Sequence, residues 1–318
     1  MKKTLVAIAA LALVGAASAQ STVNLTGKFR FAYDAKNDGT GAATAKTNGF
    51  GVTDGNVTFA AVEDLGGGLK AGATMDVRVR GRGPAGVVDG RDATVWLAGG
   101  FGTLVGGAVE SGNGIIGLGG AGAPVIGLDD GIALAGASNV DWLAYTTPNM
   151  GGFTATVQIV DSIGAPTGGG LQGSATLQDG TLIGAGYSNG PINFKADYTS
   201  FGANSAAAPT ADNRLRLSGN YNLGVATVGL GYQQSKNSAS VKDKQWILGV
   251  AAPFGPVTVG ANITNRKVDS GQKVTAFDLG VKYDLSKRTY VMTGYQSEDD
   301  NLRANKKTQF RLQLSHAF

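Results

Sequence analysis

Apolar and polar residues alternate with a period of two through most of the chain. In residues 309–314, for example, Phe, Leu and Leu alternate with Gln, Arg and Gln. The same alternation occurs over 153–159, 192–199 and 257–264. Because successive side chains of a β-strand point to opposite faces, each segment would present one apolar and one polar face. The pattern predicts an all-β protein and disfavours amphipathic helices, whose apolar residues recur three and four positions apart.

The composition agrees with this class and excludes several kinds of chemistry. Gly accounts for 51 of the 318 residues, well above the usual share of about 7%, and each Gly inside a helix costs about 1 kcal/mol relative to Ala. There is no Cys and only one His. Disulfide scaffolds, thiol catalysis and Cys-ligated metals are therefore excluded. Ser-His-Asp catalysis is strongly disfavoured, because only one histidine could serve as its base.

The alternating segments can be arranged as sixteen strands joined by short and long links in turn. The expected strands are 23–33, 51–61, 69–79, 91–98, 102–109, 139–147, 152–160, 181–188, 192–201, 213–222, 225–235, 244–252, 257–266, 273–283, 288–297 and 307–318. The expected long links are 34–50, 80–90, 110–138, 161–180, 202–212, 236–243, 267–272 and 298–306. Short turns on one rim and long loops on the other are typical of a transmembrane β-barrel. We therefore predict a barrel of sixteen antiparallel strands with short periplasmic turns and long outer loops.

A soluble β-sandwich would also contain half-buried alternating strands. A sixteen-stranded soluble domain, however, should include several fully apolar central strands, and few segments here are of that kind. Aromatic residues also lie near the ends of the expected strands, where a barrel needs them at the two membrane interfaces. A barrel with a lipid-facing exterior and a water-filled lumen therefore explains the pattern better than a sandwich does.

The N-terminus has the composition of a secretory signal peptide. Two lysines at positions 2 and 3 precede an apolar run over 5–17, and Ala17-Ser18-Ala19 matches a cleavage site. This run is shorter than the ~20 residues that a spanning helix requires. We expect residues 1–19 to be the signal peptide and residues 20–318 to form the barrel.

Four motifs, taken together, resemble one known family. They are Glu-Asp-Leu-Gly-Gly-Gly-Leu-Lys at 63–70, the segment 91–103, Leu-Ser-Lys-Arg-Thr at 285–289, and the terminal Phe318. In this order they resemble the Gram-negative outer-membrane porins of beta-proteobacteria and the Rhodobacter group, over essentially all of the mature chain. Phe318, with alternate apolar residues before it, resembles the assembly signal of outer-membrane barrels.

This resemblance implies a homotrimer in the cell outer membrane that lets ions and small hydrophilic solutes diffuse passively. It implies contacts with outer-membrane lipid, lipopolysaccharide and the barrel assembly machinery, and it implies that the third long loop, 110–138, folds into the lumen. We expect no catalytic residue, cofactor, metal or nucleic-acid partner.

Charges on the inner faces would set ion selectivity. On the better-assigned strands we count eleven inward basic residues against three acidic ones, Asp76, Asp197 and Asp278. The basic residues counted are Lys28, Arg30, Lys70, Arg78, Arg80, Lys195, Arg214, Arg216, Arg266, Lys282 and Arg311. The candidate constriction consists of Lys28, Arg30, Arg78, Arg80 and Arg311 on the wall, with Glu110, Asp129 and Asp130 on the loop. This lining predicts a preference for anions.

Loop 110–138 contains two Gly-x-Gly-x-x-Gly matches, at 112–117 and 117–122. A dinucleotide site requires this turn between a strand and a helix, and no helix start is visible, so we expect a Gly-rich loop packed against a wall.

Three other functions are alternatives to an open diffusion pore. They are a substrate-specific channel with a binding site at loop 110–138, an outer-membrane barrel enzyme, and a secreted β-protein without a lumen.

Overall fold

The protein is a closed antiparallel β-barrel. A computed structural model describes residues 21–42, 45–79, 88–111, 114–126, 138–161, 180–202 and 212–318. Each strand pairs with its neighbours in sequence, and β1 pairs with β16 to close the sheet. The strands are β1 Thr22–Asn37, β2 Lys46–Gly66, β3 Leu69–Val79, β4 Val88–Gly99, β5 Gly102–Ser111, β6 Ser138–Thr146, β7 Phe153–Asp161, β8 Gly180–Asn189, β9 Ile192–Phe201, β10 Asn213–Asn222, β11 Thr227–Lys236, β12 Lys242–Phe254, β13 Val257–Val268, β14 Lys273–Asp284, β15 Thr289–Asp300 and β16 Lys307–Ala317.

All sixteen predicted strands are confirmed, and three of them, β3, β9 and β10, have the predicted bounds. Others are longer than predicted: β1 continues to Asn37 and β15 to Asp300. In these extensions polar residues occupy both faces, so apolar alternation no longer marks the strand. Strands of nine residues or more suffice to cross the hydrocarbon layer, and the longer ones continue beyond it.

Burial in this barrel is the reverse of that in a soluble domain. On neighbouring inner-face positions Gln233 is fully buried and Gln245 is 2% exposed, whereas the outward Leu230 is 58% exposed. The exposed large side chains of the outer face are mostly Leu, Val, Ile and Phe. An apolar exterior with a polar interior suits lipid outside and water inside, and it disagrees with a sandwich or a secreted β-protein without a lumen.

Aromatic pairs lie near both rims of the outer face. The ring centroids of Phe153 and Tyr187 are 4.5 Å apart beside the rim of short turns. Those of Phe50 and Tyr33 are 5.1 Å apart towards the rim of long loops. Aromatic rings are favoured at the level of the lipid headgroups. These pairs match the girdles that the sequence predicted.

The tight turn between β2 and β3 requires glycine. Gly66, Gly67 and Gly68 have φ values of +83°, +61° and +81°, a region that other L-residues rarely adopt. The motif at 63–70 therefore forms a tight turn because three consecutive residues have no Cβ.

One short helix, α1 (Gly114–Gly119), lies in the loop between β5 and β6. The expectation that no helix begins in this Gly-rich segment was wrong, because a six-residue helix forms there. No helix among the described residues is long and apolar enough to cross a membrane.

The last residue, Phe318, extends the seam that closes the barrel. The N–H of Gly27 donates to the carbonyl oxygen of Phe318 at 3.1 Å, and the N–H of Phe318 donates to the carbonyl oxygen of Gly27 at 3.0 Å. The Phe318 ring covers Gly27, which has no Cβ to obstruct it. Phe318 thus forms the last rung of the seam between β1 and β16.

Deleting Phe318 should lower the yield of folded barrel, because the two seam hydrogen bonds, worth about 1 kcal/mol each, and the ring contact are lost together. The measurement is the fraction of protein that shifts mobility on heating in a detergent gel. The control is Phe318→Tyr, which keeps the ring and both backbone bonds. Equal folded yields for the deletion and the control would show that this residue is dispensable.

Candidate functional site

The described part of the third long loop, residues 114–126, lies inside the barrel. Helix α1 packs on the inner faces of β10, β11 and β12, and Ile115 and Ile126 are 1% and 2% exposed. This segment contains only Gly, Ile, Leu, Ala, Pro and Val. The lumen is therefore narrowed, as the resemblance implied, by a segment that carries no charge.

A cavity of about 290 Å³ lies beside residues 122–126 of this loop and is also lined by inner-wall residues of β1 and β13–β16. Four basic side chains line it: Lys28 and Arg30 on β1, Lys282 on β14 and Arg311 on β16. Strands β1 and β16 are neighbours at the seam, and Arg30 is directly paired with Ser315 in the ladder. Closure of the barrel thus brings residues 28, 30 and 311 together from opposite ends of the chain.

Carboxylates bind each of these basic groups. The Nζ of Lys28 lies 2.8 Å from Oδ2 of Asp54, and Nη1 of Arg30 lies 3.5 Å from the same oxygen. Arg311 donates from Nε and Nη2 to the two oxygens of Asp34, at 2.7 and 3.0 Å. Such bidentate pairs fix the orientation of the guanidinium. The wall beside the cavity is therefore a set of oriented ion pairs.

Lys282 is bound to Asp284 at 3.0 Å. Four cations line the cavity, whereas three carboxylates, Asp34, Asp54 and Asp284, pair with them among the described contacts, which leaves an excess of basic groups. The uncharged residues 114–126 add nothing to balance it.

Arg78 lies on the inner face of β3, two strands from β1, where it is opposite Asn56. Its neighbour Asp76 accepts hydrogen bonds from Asn56 at 2.7 Å and Thr58 at 2.9 Å, and it lies 3.8 Å from Arg91. The inner wall of β2, β3 and β4 thus continues the network of charges that begins at β1.

The other predicted constriction residues lie partly outside the described structure. Arg80, Asp129 and Asp130 are not among the described residues. Glu110 belongs to β5, where its backbone pairs with Asn139, and the position of its side chain is not described.

The expected inward excess of eleven basic over three acidic residues was too large. The inner face also carries acids that the sequence count omitted: Asp34, Asp54, Asp243, Glu298 and Asp300. Lys36 and Lys307 join them on the inner face. Asp34, Lys36, Asp243, Glu298 and Asp300 had been assigned to long links, and the longer strands place them on the wall. Asp54 and Lys307 lay within expected strands but were left out of the count.

Acids missed in this way are mostly partners of the predicted bases. Asp243, for example, binds Arg266 at 2.7 Å. Glu298 is an exception, because it lies 3.1 Å from Arg303 and 3.9 Å from Lys307, which were not among the predicted inward bases. A rule that every buried inward base needs a nearby carboxylate would have pointed to acids at the strand ends.

The adjacent acids of β15, Asp299 and Asp300, point to opposite faces of the strand. Asp300 faces inward, where Gln272 donates to it at 2.8 Å, whereas the side chain of Asp299 is 59% exposed beside Lys306. Among the residues that the structure describes, no group of three His, Cys, Asp or Glu side chains could hold a metal ion.

Comparison with known proteins agrees with this architecture. The family model for Gram-negative porins matches residues 4–302. Outer membrane porin protein 32 of Delftia acidovorans is 30% identical, over 91% of this chain and 87% of the relative.

Two solved structures share the fold. The anion-selective porin from Comamonas acidovorans has a TM-score of 0.72 at 22% identity, covering 94% of this chain and 100% of that one. The outer membrane protein OmpT of Vibrio cholerae, solved in a trimer form, has a TM-score of 0.68 at 14% identity, covering 94% and 99%.

The chain belongs to the Gram-negative porin family. It is an outer-membrane diffusion channel, and its family and fold indicate a channel rather than an enzyme.

Replacing Asp54 with Asn should make the channel more selective for anions. The substitution removes one negative charge from the cavity wall, while Lys28 and Arg30, which are 34% and 25% exposed, remain charged in contact with lumen water. The measurement is the zero-current potential across a planar bilayer under a salt gradient.

The matched control is Asp243→Asn, which breaks a comparable inner-face ion pair with Arg266 away from the cavity. We expect a smaller shift for this control. Equal shifts in the two variants would show that charges beside the cavity do not dominate selectivity.

Proposed function

We propose that the channel prefers anions and that it selects them where residues 114–126 face the wall carrying Lys28, Arg30 and Arg311. The observation that carries the proposal is the cavity in which basic side chains meet an uncharged loop. An ion that passes through a narrow, partly dehydrated path interacts strongly with charges on its wall. A wall with net positive charge lowers the energy of anions there and raises that of cations.

One structural neighbour supports the same preference. The solved porin from Comamonas acidovorans, which shares this fold, is described as anion-selective. We further propose that Arg78 and Arg80 extend the basic wall, and that Glu110, Asp129 and Asp130 provide the opposite sign across the path. An arrangement of this kind would produce a field across the pore as well as along it.

A substrate-specific channel receives less support. Residues 114–126 contain no polar side chain, so the described part of loop 110–138 offers a solute only main-chain groups and apolar contacts. Specific sites for small polar ligands need a few convergent polar groups.

The test of the proposal is the reversal potential of the purified mature protein in a planar bilayer under a salt gradient. We expect an anion-preferring potential, and we expect a shift towards cations in the variant Arg30→Ser/Arg311→Ser, because two positive charges leave the wall. A suitable control is Arg266→Ser, an inner-face arginine that does not line the cavity. A conducting channel whose selectivity is unchanged by Arg30→Ser/Arg311→Ser would contradict the assignment of these residues.

Export and assembly form a separate part of the proposal. We infer that residues 1–19 are a signal peptide that is removed, and that the barrel assembly machinery recognises the strand ending at Phe318. Outer-membrane lipid and lipopolysaccharide would then surround the apolar exterior.

We also propose a homotrimer and assign its contact surface to the outer face of β2–β5. A shallow apolar depression there contains the small residues Ala61, Ala73 and Ala93, which allow close approach of another wall. The depression on β9–β12 is lined instead by Tyr221 and Tyr232, a residue type favoured at the lipid interface. The trimer form of the OmpT structure supports this assembly.

Introducing a large side chain into the β2–β5 depression should separate the subunits. Ala73→Trp would overpack the contact, which costs about 1–3 kcal/mol per site, so the trimer should give way to monomer. The control, Ala261→Trp, places the same side chain on the outer face of β13. Sedimentation in detergent measures the mass, and a trimer that persists in Ala73→Trp but is lost in the control would move the interface elsewhere.

A further inference from the structure

Five neighbouring strands each place a glycine on the inner wall beneath the loop. These residues, called here the glycine track, are Gly231 on β11, Gly249 on β12, Gly260 on β13, Gly280 on β14 and Gly294 on β15. The loop crosses them in chain order, starting from Ile115 at Gly231 and ending with Ile126 at Gly294. The contact is continuous across five strands.

The loop backbone occupies the space where side chains would otherwise lie. A Cβ atom built on Gly249 would be 2.5 Å from the carbonyl carbon of Gly120, and one on Gly260 would be 2.6 Å from Cβ of Ala123. At Gly280 the added atom would collide with the carbonyl oxygen of Pro124. Real Cβ atoms do not approach other atoms so closely, so each of these contacts requires glycine on the wall.

The loop also has a glycine where it contacts the wall most closely. A Cβ atom on Gly119 would lie 2.7 Å from the backbone nitrogen of Gly231 and 2.6 Å from Cγ2 of Ile247. Glycine thus faces glycine where α1 ends, and the two backbones approach closely.

Not every glycine on the inner wall has a neighbour that requires glycine. Gly51, opposite Ala32 on the inner face of β2, has no atom within 4 Å of an added Cβ. Glycine within a strand sacrifices packing and backbone entropy, and it often marks the close approach of another backbone. The track and Gly51 therefore have different physical causes, although both read as glycine in an alternating strand.

We propose that the glycine track positions residues 114–126 and thereby sets the width of the pore. A strand cannot shift outward locally to make room for one added side chain, because hydrogen bonds to the neighbouring strands hold it on both sides. Any side chain added to the track therefore displaces the loop into the lumen. The track residues touch no solute, so they are positioning residues for permeation. The inference rests on the channel function and is independent of anion preference.

The test is the single-channel conductance of Gly280→Ala and Gly249→Ala, compared with the wild type and with the control Gly51→Ala. Each track variant should lower the conductance by roughly 1.5-fold or more, because the path is narrowest beside the loop. The control adds the same methyl group to the same aqueous wall, and its conductance should match the wild type.

A milder variant covers the case in which Gly280→Ala does not fold. At Gly294 the added Cβ would lie 3.1 Å from Cγ2 of Ile126, a contact that a side chain can relieve, so Gly294→Ala should fold and show a smaller decrease. Heat-dependent mobility in a detergent gel identifies the folded barrels.

Folded track variants that conduct like the wild type would overturn the inference, and so would a decrease of equal size in Gly51→Ala. The reversal potential of the same channels separates this result from the proposed anion preference. A wild-type channel that prefers cations, together with lowered conductance in the track variants, would contradict the anion preference alone.

Discussion

The fold depends on one constraint: the hydrocarbon layer offers no hydrogen-bond partner to the peptide backbone. A sheet in that layer must close, and here β1 meets β16 through ten paired positions and the terminal rung at Phe318. Closure then determines the position of the site. Lys28 and Arg311 are separated by most of the chain, yet they line the same cavity because they lie on the two strands of the seam.

Most of the fold could be predicted from the sequence. Lipid on one side and water on the other impose a strict period of two, so the order and approximate bounds of sixteen strands were correct. Strand ends were less predictable. Beyond the hydrocarbon layer both faces of a strand contact water, and residues such as Asp34 and Asp300 lose the alternation that would identify them as part of β1 and β15.

The site was predictable only in part, because alternation gives the face of a residue but not its partner. Arg30 and Arg311 were placed correctly on the inner wall, whereas Asp54, which binds Lys28 and Arg30, went unrecognised as their counter-ion. The role of Gly280 could not be predicted at all. A glycine facing open lumen and a glycine facing the carbonyl of Pro124 have the same appearance in an alternating strand.

The pairing of lumen bases with carboxylates changes how the wall acts on a solute. Arg311 with Asp34, Arg216 with Asp197 and Arg266 with Asp243 form dipoles held at fixed angles. The field of a dipole weakens faster with distance than that of a single charge, and salt screens what remains beyond about 8 Å at physiological ionic strength. Such a lining acts mainly on solutes that touch it, and a molecule carrying both signs of charge would be turned into alignment as it moved from one pair to the next.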